Sequence, residues 1–126
     1  MFGLFKSAPK LEAVFTPTLA VARELAREVE VDGELVVRNL GKETELHDLH
    51  VVLVAGSTRR IDLPLPPEFQ GTRRVAAGGE LRATVAWKIP LAAPMRAPAA
   101  EVQLITTAGG KHTPLALSNR FPLANE

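Results

Sequence analysis

The chain has 126 residues, 46% of them apolar and 23% charged, the balance of one folded domain with a single ordinary core. Fifteen basic residues stand against fourteen acidic ones, so no electrostatic attraction to nucleic acid or to an anionic membrane follows. Cysteine is absent, which excludes disulfides, thiolate zinc sites, iron–sulfur clusters and cysteine nucleophiles, and fits a reducing cytoplasm.

The start, "MFGLFKSAPK", is interrupted by Lys6 before it could form a signal-peptide core, and no apolar run approaches the roughly 18 residues of a membrane span. It reads as an N-terminal apolar arm over 1–10, ahead of one β-sandwich domain over 11–126. Phe2 and Phe5 are two of only six aromatic residues, and with Leu4 they carry too much apolar area to stay idle in water. One lysine and three apolar groups are too little for stable membrane insertion. The arm is therefore expected to contact a protein partner or a second copy.

In "LEAVFTPT" Leu11, Ala13 and Phe15 alternate up to Pro17, a first strand suited to a sheet edge. Leu19, Ala22, Leu25 or Ala26, and Val29 then follow 3.6-residue spacing, which predicts a short helix over 18–28. Val21, Leu25, Val29 and Val31 also fit a long strand. "VEVDGELVVRN" is a valine-rich strand whose Asp32-Gly33 suggests a bend or bulge, and Asn39-Leu40-Gly41-Lys42 turns the chain.

"ELHDLHVVLVAG" is apolar on both faces, as in a central strand. "RRIDLPL" is a short strand that Pro64 confines to an edge. "PPEFQGTRRVAAGG" has little periodicity and reads as a long loop. "ELRATVAWKI" is the most regular strand: Leu81, Ala83, Val85, Trp87 and Ile89 face one way, Arg82, Thr84, Ala86 and Lys88 the other. The prolines of "PLAAPMRAP" stop the ladder. "AEVQLITT" and "HTPLALSNRF" form a hairpin through "AGGK". The sum is an all-β, antiparallel, immunoglobulin-like sandwich of about seven strands.

Several stretches together resemble one family. "LEAVFTPTL" resembles the opening strand of arrestin-like proteins, and "VEVDGELVV" is similar to their Val-Asp-Gly pattern before an apolar β run. "GGELRATVAWKIPLAAP" resembles their strand ending in Ile-Pro or Leu-Pro, and "AEVQLITT" the antiparallel strand after it. "MFGLFK" is similar to the start of the bacterial sporulation-control branch, whose members usually carry two such sandwiches. The polar-core and phosphate-sensing residues of visual arrestins have no counterpart here. The resemblance implies an arrestin-like sandwich serving as a regulatory scaffold that binds proteins and performs no reaction.

Candidate chemistry is sparse. His47, Asp48 and His50 in "LHDLH", with His112, invite a metal- or carbohydrate-binding alternative; on a strand His47 and His50 point to opposite faces, so no metal or other cofactor is expected. Ser7, Ser57 and Ser118 lack a nucleophile elbow, and "AAGGE" and "TAGGK" lack the spacing of a phosphate loop. No catalytic residue is expected. Arg59-Arg60 and Arg73-Arg74 could bind an anion if their loop folded back, though solvated arginines suit so small a net charge. Met95 and Arg96, between Pro94 and Pro98, form a rigid segment of interface-favouring residues. They join Phe2, Leu4 and Phe5 as candidate partner-binding residues.

Overall fold

The computed structural model of the chain describes residues 9–56 and 58–126. Eleven strands occur among the described residues: β1 (Leu11–Arg23), β2 (Glu28–Asn39), β3 (Thr44–Leu46), β4 (Leu49–Ala55), β5 (Arg59–Leu63), β6 (Arg73–Val75), β7 (Glu80–Pro90), β8 (Ala99–Thr106), β9 (Thr113–Leu117), β10 (Phe121–Pro122) and β11 (Ala124–Asn125). One sheet has the order β11-β1-β2-β7. The other runs β10-β8-β4-β5, with β9 also paired to β8, and β3 with β6 makes a small ribbon. Neighbours are antiparallel except β1 and β11, which run parallel at Val21 and Ala22. The seven expected strands are all present. The additional ones are short pieces that propensity does not announce.

The helix predicted over 18–28 is not formed. β1 continues through Pro17 to Arg23, residues 24–27 turn, and β2 returns along the full length of β1. The misleading pattern comes from a bulge: Pro17 lies opposite Gly33 and Leu19 opposite Asp32, which leaves Thr18 as an extra residue. Before the bulge Ala13 and Phe15 face the core; after it Ala20 and Ala22 do. A one-residue slip moves the apolar set from odd to even positions, and the broken alternation imitates helical spacing. Leu25, placed on the apolar face by the helical reading, is 99% exposed at the turn. The bulge expected at Asp32-Gly33 sits at that level, but its extra residue belongs to the partner strand.

The predicted central strand is divided at His47-Asp48, where Asp48 adopts a φ of 52° and the chain leaves the small ribbon for the second sheet. The segment read as a long loop is also structured. Pro67–Phe69 form a 3-10 turn that buries Phe69, and β6 buries Val75. The hairpin between β8 and β9 is made as expected, with Gly109 and Gly110 both at positive φ.

The core lies between the two sheets. Phe15, Val31, Leu35, Val85 and Trp87 come from one, and Val51, Leu53, Val102 and Leu104 from the other. Phe15 stacks on Trp87 with ring centroids 6.1 Å apart and packs against Phe121 at 5.0 Å.

Asn39 is the most buried polar side chain, at 0% exposure. Its Nδ2 donates to the carbonyls of Lys42 at 2.7 Å and Val75 at 3.0 Å, while its Oδ1 accepts from the Gly41 amide at 3.0 Å. It thus closes its own turn and ties that turn to the end of β6. Asn39→Ala is expected to lower stability by about 3 kcal/mol, because buried carbonyls lose their donor. Chemical denaturation measures the change. A loss under about 1 kcal/mol would mean water replaces the amide.

Candidate functional site

β7 is the terminal strand of its sheet, with β2 on one side and no strand on the other among the described residues. Two flanking hydrogen bonds set its phase. The Asn39 amide donates to the Gly79 carbonyl at 2.8 Å, and the Leu91 amide to the Arg27 carbonyl at 2.8 Å. With the register Val31 to Trp87 and Gly33 to Val85, the odd residues Leu81 to Ile89 exchange main-chain bonds with β2 and send their side chains inward. The even residues do the opposite. Arg82, Thr84, Ala86 and Lys88 expose their side chains on the outer face and direct their amides and carbonyls to the open edge.

Along that edge runs a groove walled by Pro64, Leu65, Pro66 and Pro67 and by residues 84–89 of β7. The Trp87 indole N–H donates to the Pro64 carbonyl at 2.9 Å, which holds the proline segment against β7 and fixes the groove's floor. β5, ended by Pro64, is the terminal strand of the second sheet on this same side, as its sequence suggests.

The opposite edge of the same sheet, along β1, is closed in part. The side-chain amide of Asn119 donates to the Phe15 carbonyl at 3.0 Å, and its oxygen accepts from the Phe15 amide at 2.8 Å, so one side chain substitutes for a strand. Beyond it the bulge at Thr18 and the β11 pairing cover the rest of β1's far half. β7 has neither proline before its last residue nor any register shift.

The outer face beside the open edge is charged. Arg82 bridges Glu34 at 2.7 Å and Glu80 at 2.7 Å, Arg38 reaches Glu80 at 3.5 Å, and Lys88 lies 3.8 Å from Glu28. The hydrogen bond from Arg82 holds the Glu80 carboxyl below its ordinary value, with Arg38 adding to the effect. Since the folded value is the depressed one, the pairing favours folding above the ordinary carboxylate range and is lost as pH falls through the lowered value. A carbon-13 titration should place the Glu80 midpoint below that of a free glutamate, and Arg82→Gln should move it up toward the ordinary range, Arg38 still lowering it somewhat. A wild-type midpoint already in that range would show that the pair does not persist in solution.

The residues singled out from sequence are distributed differently from expectation. Phe2, Leu4 and Phe5 lie outside the described residues, as do Ser7 and Ser57. Met95 is not an exposed contact residue; it is 5% exposed and fills the end of the sandwich beside Ala55 and Ala97. Arg96 is exposed and lies 3.7 Å from Glu24.

The paired arginines do not converge on an anion site. Arg59 donates to the carbonyls of Ala93 and Pro94, Arg60 to Gln103, Arg73 to the Pro67 carbonyl and Arg74 to Glu45. His47 sits in the connection between β3 and β4, and His50 Nε2 lies 3.2 Å from the Thr107 hydroxyl. Among the described residues no three His, Asp or Glu side chains are grouped to hold a metal ion. Ser118 is buried and structural: its hydroxyl accepts from the Val102 amide and donates to the Asn119 carbonyl. No helix among the described residues is long and apolar enough to cross a membrane. The chain is an all-β, two-sheet antiparallel sandwich. No protein-family model matches it, and no curated protein does so either.

Proposed function

We propose that the chain is a non-catalytic interaction module, an arrestin-like sandwich that works in the cytoplasm as a scaffold or regulator by binding another protein. The observation that carries this reading is the asymmetry of the two sides. The β1 edge is interrupted by Asn119, the bulge and β11, while β7 keeps a long row of main-chain donors and acceptors turned outward beside a proline-walled groove. Strand edges left in this state are the surfaces that interaction domains use for strand addition. The arrestin resemblance of "VEVDGELVV" and "GGELRATVAWKIPLAAP" points the same way.

The test is capture from native lysate with the full chain and with a chain lacking residues 1–6, identified by mass spectrometry, alongside light scattering of both purified proteins. A specific partner captured by the full chain supports the reading. Weaker capture or self-association on deletion, at an unchanged unfolding midpoint, assigns Phe2, Leu4 and Phe5 to the contact. No captured protein and no self-association by the full chain would overturn the interaction reading.

A further inference from the structure

The open edge of β7 also says what its partner should look like. Resting on the interaction reading above, we propose that β7 accepts an extended segment of another protein as an added strand. The segment would carry acidic residues six positions apart on its outer face and apolar residues on its inner face.

The argument begins with the main chain. Arg82, Thr84, Ala86 and Lys88 each offer an amide and a carbonyl outward, in uninterrupted register, over a length that a seven-residue strand would match. In a strand added antiparallel the residues bonded to these groups place their side chains on the outer face, directly beside the side chains of their β7 partners. Arg82 and Lys88 stand at the two ends of this row and small Thr84 and Ala86 lie between. Both cations are well exposed, with 53% and 64% of their side-chain surface open. Arg82 already bonds Glu34 and Glu80, but a guanidinium has five donors, and Lys88 has only the 3.8 Å contact to Glu28. An acid opposite each cation is favourable, and a β-branched residue fits opposite the small pair. The intervening side chains of the added strand point the other way, onto Pro64, Leu65, Pro66 and Pro67.

The same charges argue against a second copy as the occupant. In the register that pairs the whole row, antiparallel about Val85, two β7 edges would set Arg82 of each copy against Lys88 of the other, and like charges directly opposite are unfavourable. A register about Thr84 instead puts Glu80 opposite Lys88 but shortens the row, and the concentration dependence below tests for it. The chain's own first eight residues fit no better, since they contain Lys6 and no acid.

The probe is a fluorescein-labelled heptapeptide, Glu-Val-Thr-Val-Thr-Val-Glu, titrated onto the full chain. Binding is followed by anisotropy, and amide hydrogen exchange is followed residue by residue. Saturation should slow exchange at Thr84, Ala86 and Lys88. Ala86→Pro removes an outward amide without touching the β2 ladder and should weaken binding roughly tenfold, the worth of about one hydrogen bond. Lysine in place of both glutamates should weaken it comparably. Should Ala86→Pro fail to fold, the wild-type chain serves with peptides N-methylated on Thr, which faces β7, or on Val, which does not; only the first should lose binding.

Absence of protection at these amides, or equal binding by both N-methylated peptides, would overturn the proposal. So would protection of the same amides that rises with protein concentration when no peptide is present, since that identifies a second copy. A native partner captured equally by wild type and Ala86→Pro would remove β7 from the contact and leave the interaction reading intact. A chain that captures nothing yet shows the predicted peptide protection would separate the two in the other direction.

Discussion

Replacing Trp87 with alanine should lower the unfolding free energy by roughly 3–5 kcal/mol, the range for removing a large aromatic side chain from a packed interior. The indole is 4% exposed, stacks on Phe15 at an interplanar angle of 19°, and bonds the Pro64 carbonyl. Removing it takes away apolar area, opens a cavity between the sheets and leaves a carbonyl without its donor. The proline segment also loses its tie to β7, so the groove should become mobile with it. Urea unfolding followed by far-UV circular dichroism measures the loss, because the variant has no tryptophan to report. Wild-type Trp87 should emit well to the blue of free tryptophan and resist iodide. Trp87→Phe keeps a ring but not the N–H, and should fall between wild type and alanine. A loss under about 1 kcal/mol for alanine would show that the ring is not a core residue.

Gly33→Ala is expected to be comparably damaging for a different reason, at about 3 kcal/mol or more, the upper range for overpacking. Gly33 occupies an inward position of β2 opposite the bulge, and the Phe15 ring lies where its side chain would be. An added Cβ would stand 2.8 Å from Phe15 Cζ and 2.9 Å from Pro17 Cα, and closer still to the Thr16 carbonyl oxygen. Two of those three atoms are main chain and cannot swing aside. Trimming the ring in a Phe15→Leu, Gly33→Ala double variant therefore relieves one contact only. It should remain less stable than Phe15→Leu alone, as thermal unfolding of the set would show. Equal stability would mean that the bulge can shift to admit a methyl group.

Both effects depend on features that the sequence discloses unequally. The alternation of β7 is plain because an inward face of Leu81, Val85 and Trp87 and an outward face of charged or small residues persist through ten residues with no interruption. β1 is hidden because an inserted residue changes the phase, and periodicity counts positions rather than contacts. β3, β6, β10 and β11 are too short for any period to emerge. Met95 is buried although its proline-rich segment suggests an exposed loop, because prolines around a residue describe the backbone and say nothing of which way the side chain turns. That β7 is an edge was equally out of reach: whether a strand has one neighbour or two is decided by the path of residues distant in the chain. The proline cluster at 64–67 is a usable signal, since a segment with one amide in four residues makes a poor neighbour in a ladder.

The clasp of Asn119 on Phe15 has a temporal side. The two residues are 104 positions apart, and β11 joins β1 across a comparable separation. On the ribosome, β1 can find β2 within moments of emergence, yet its outer side has no partner until residues 119–126 have left the exit tunnel. During that interval the nascent hairpin is sticky along the edge that the finished molecule hides. Closing a loop of this length carries an entropic penalty ahead of any reward, so docking of the tail should come late and slowly in refolding too. Chaperone dependence and yield at high expression temperature would then be governed by residues 119–126, far from the surface through which the folded protein is proposed to meet its partner.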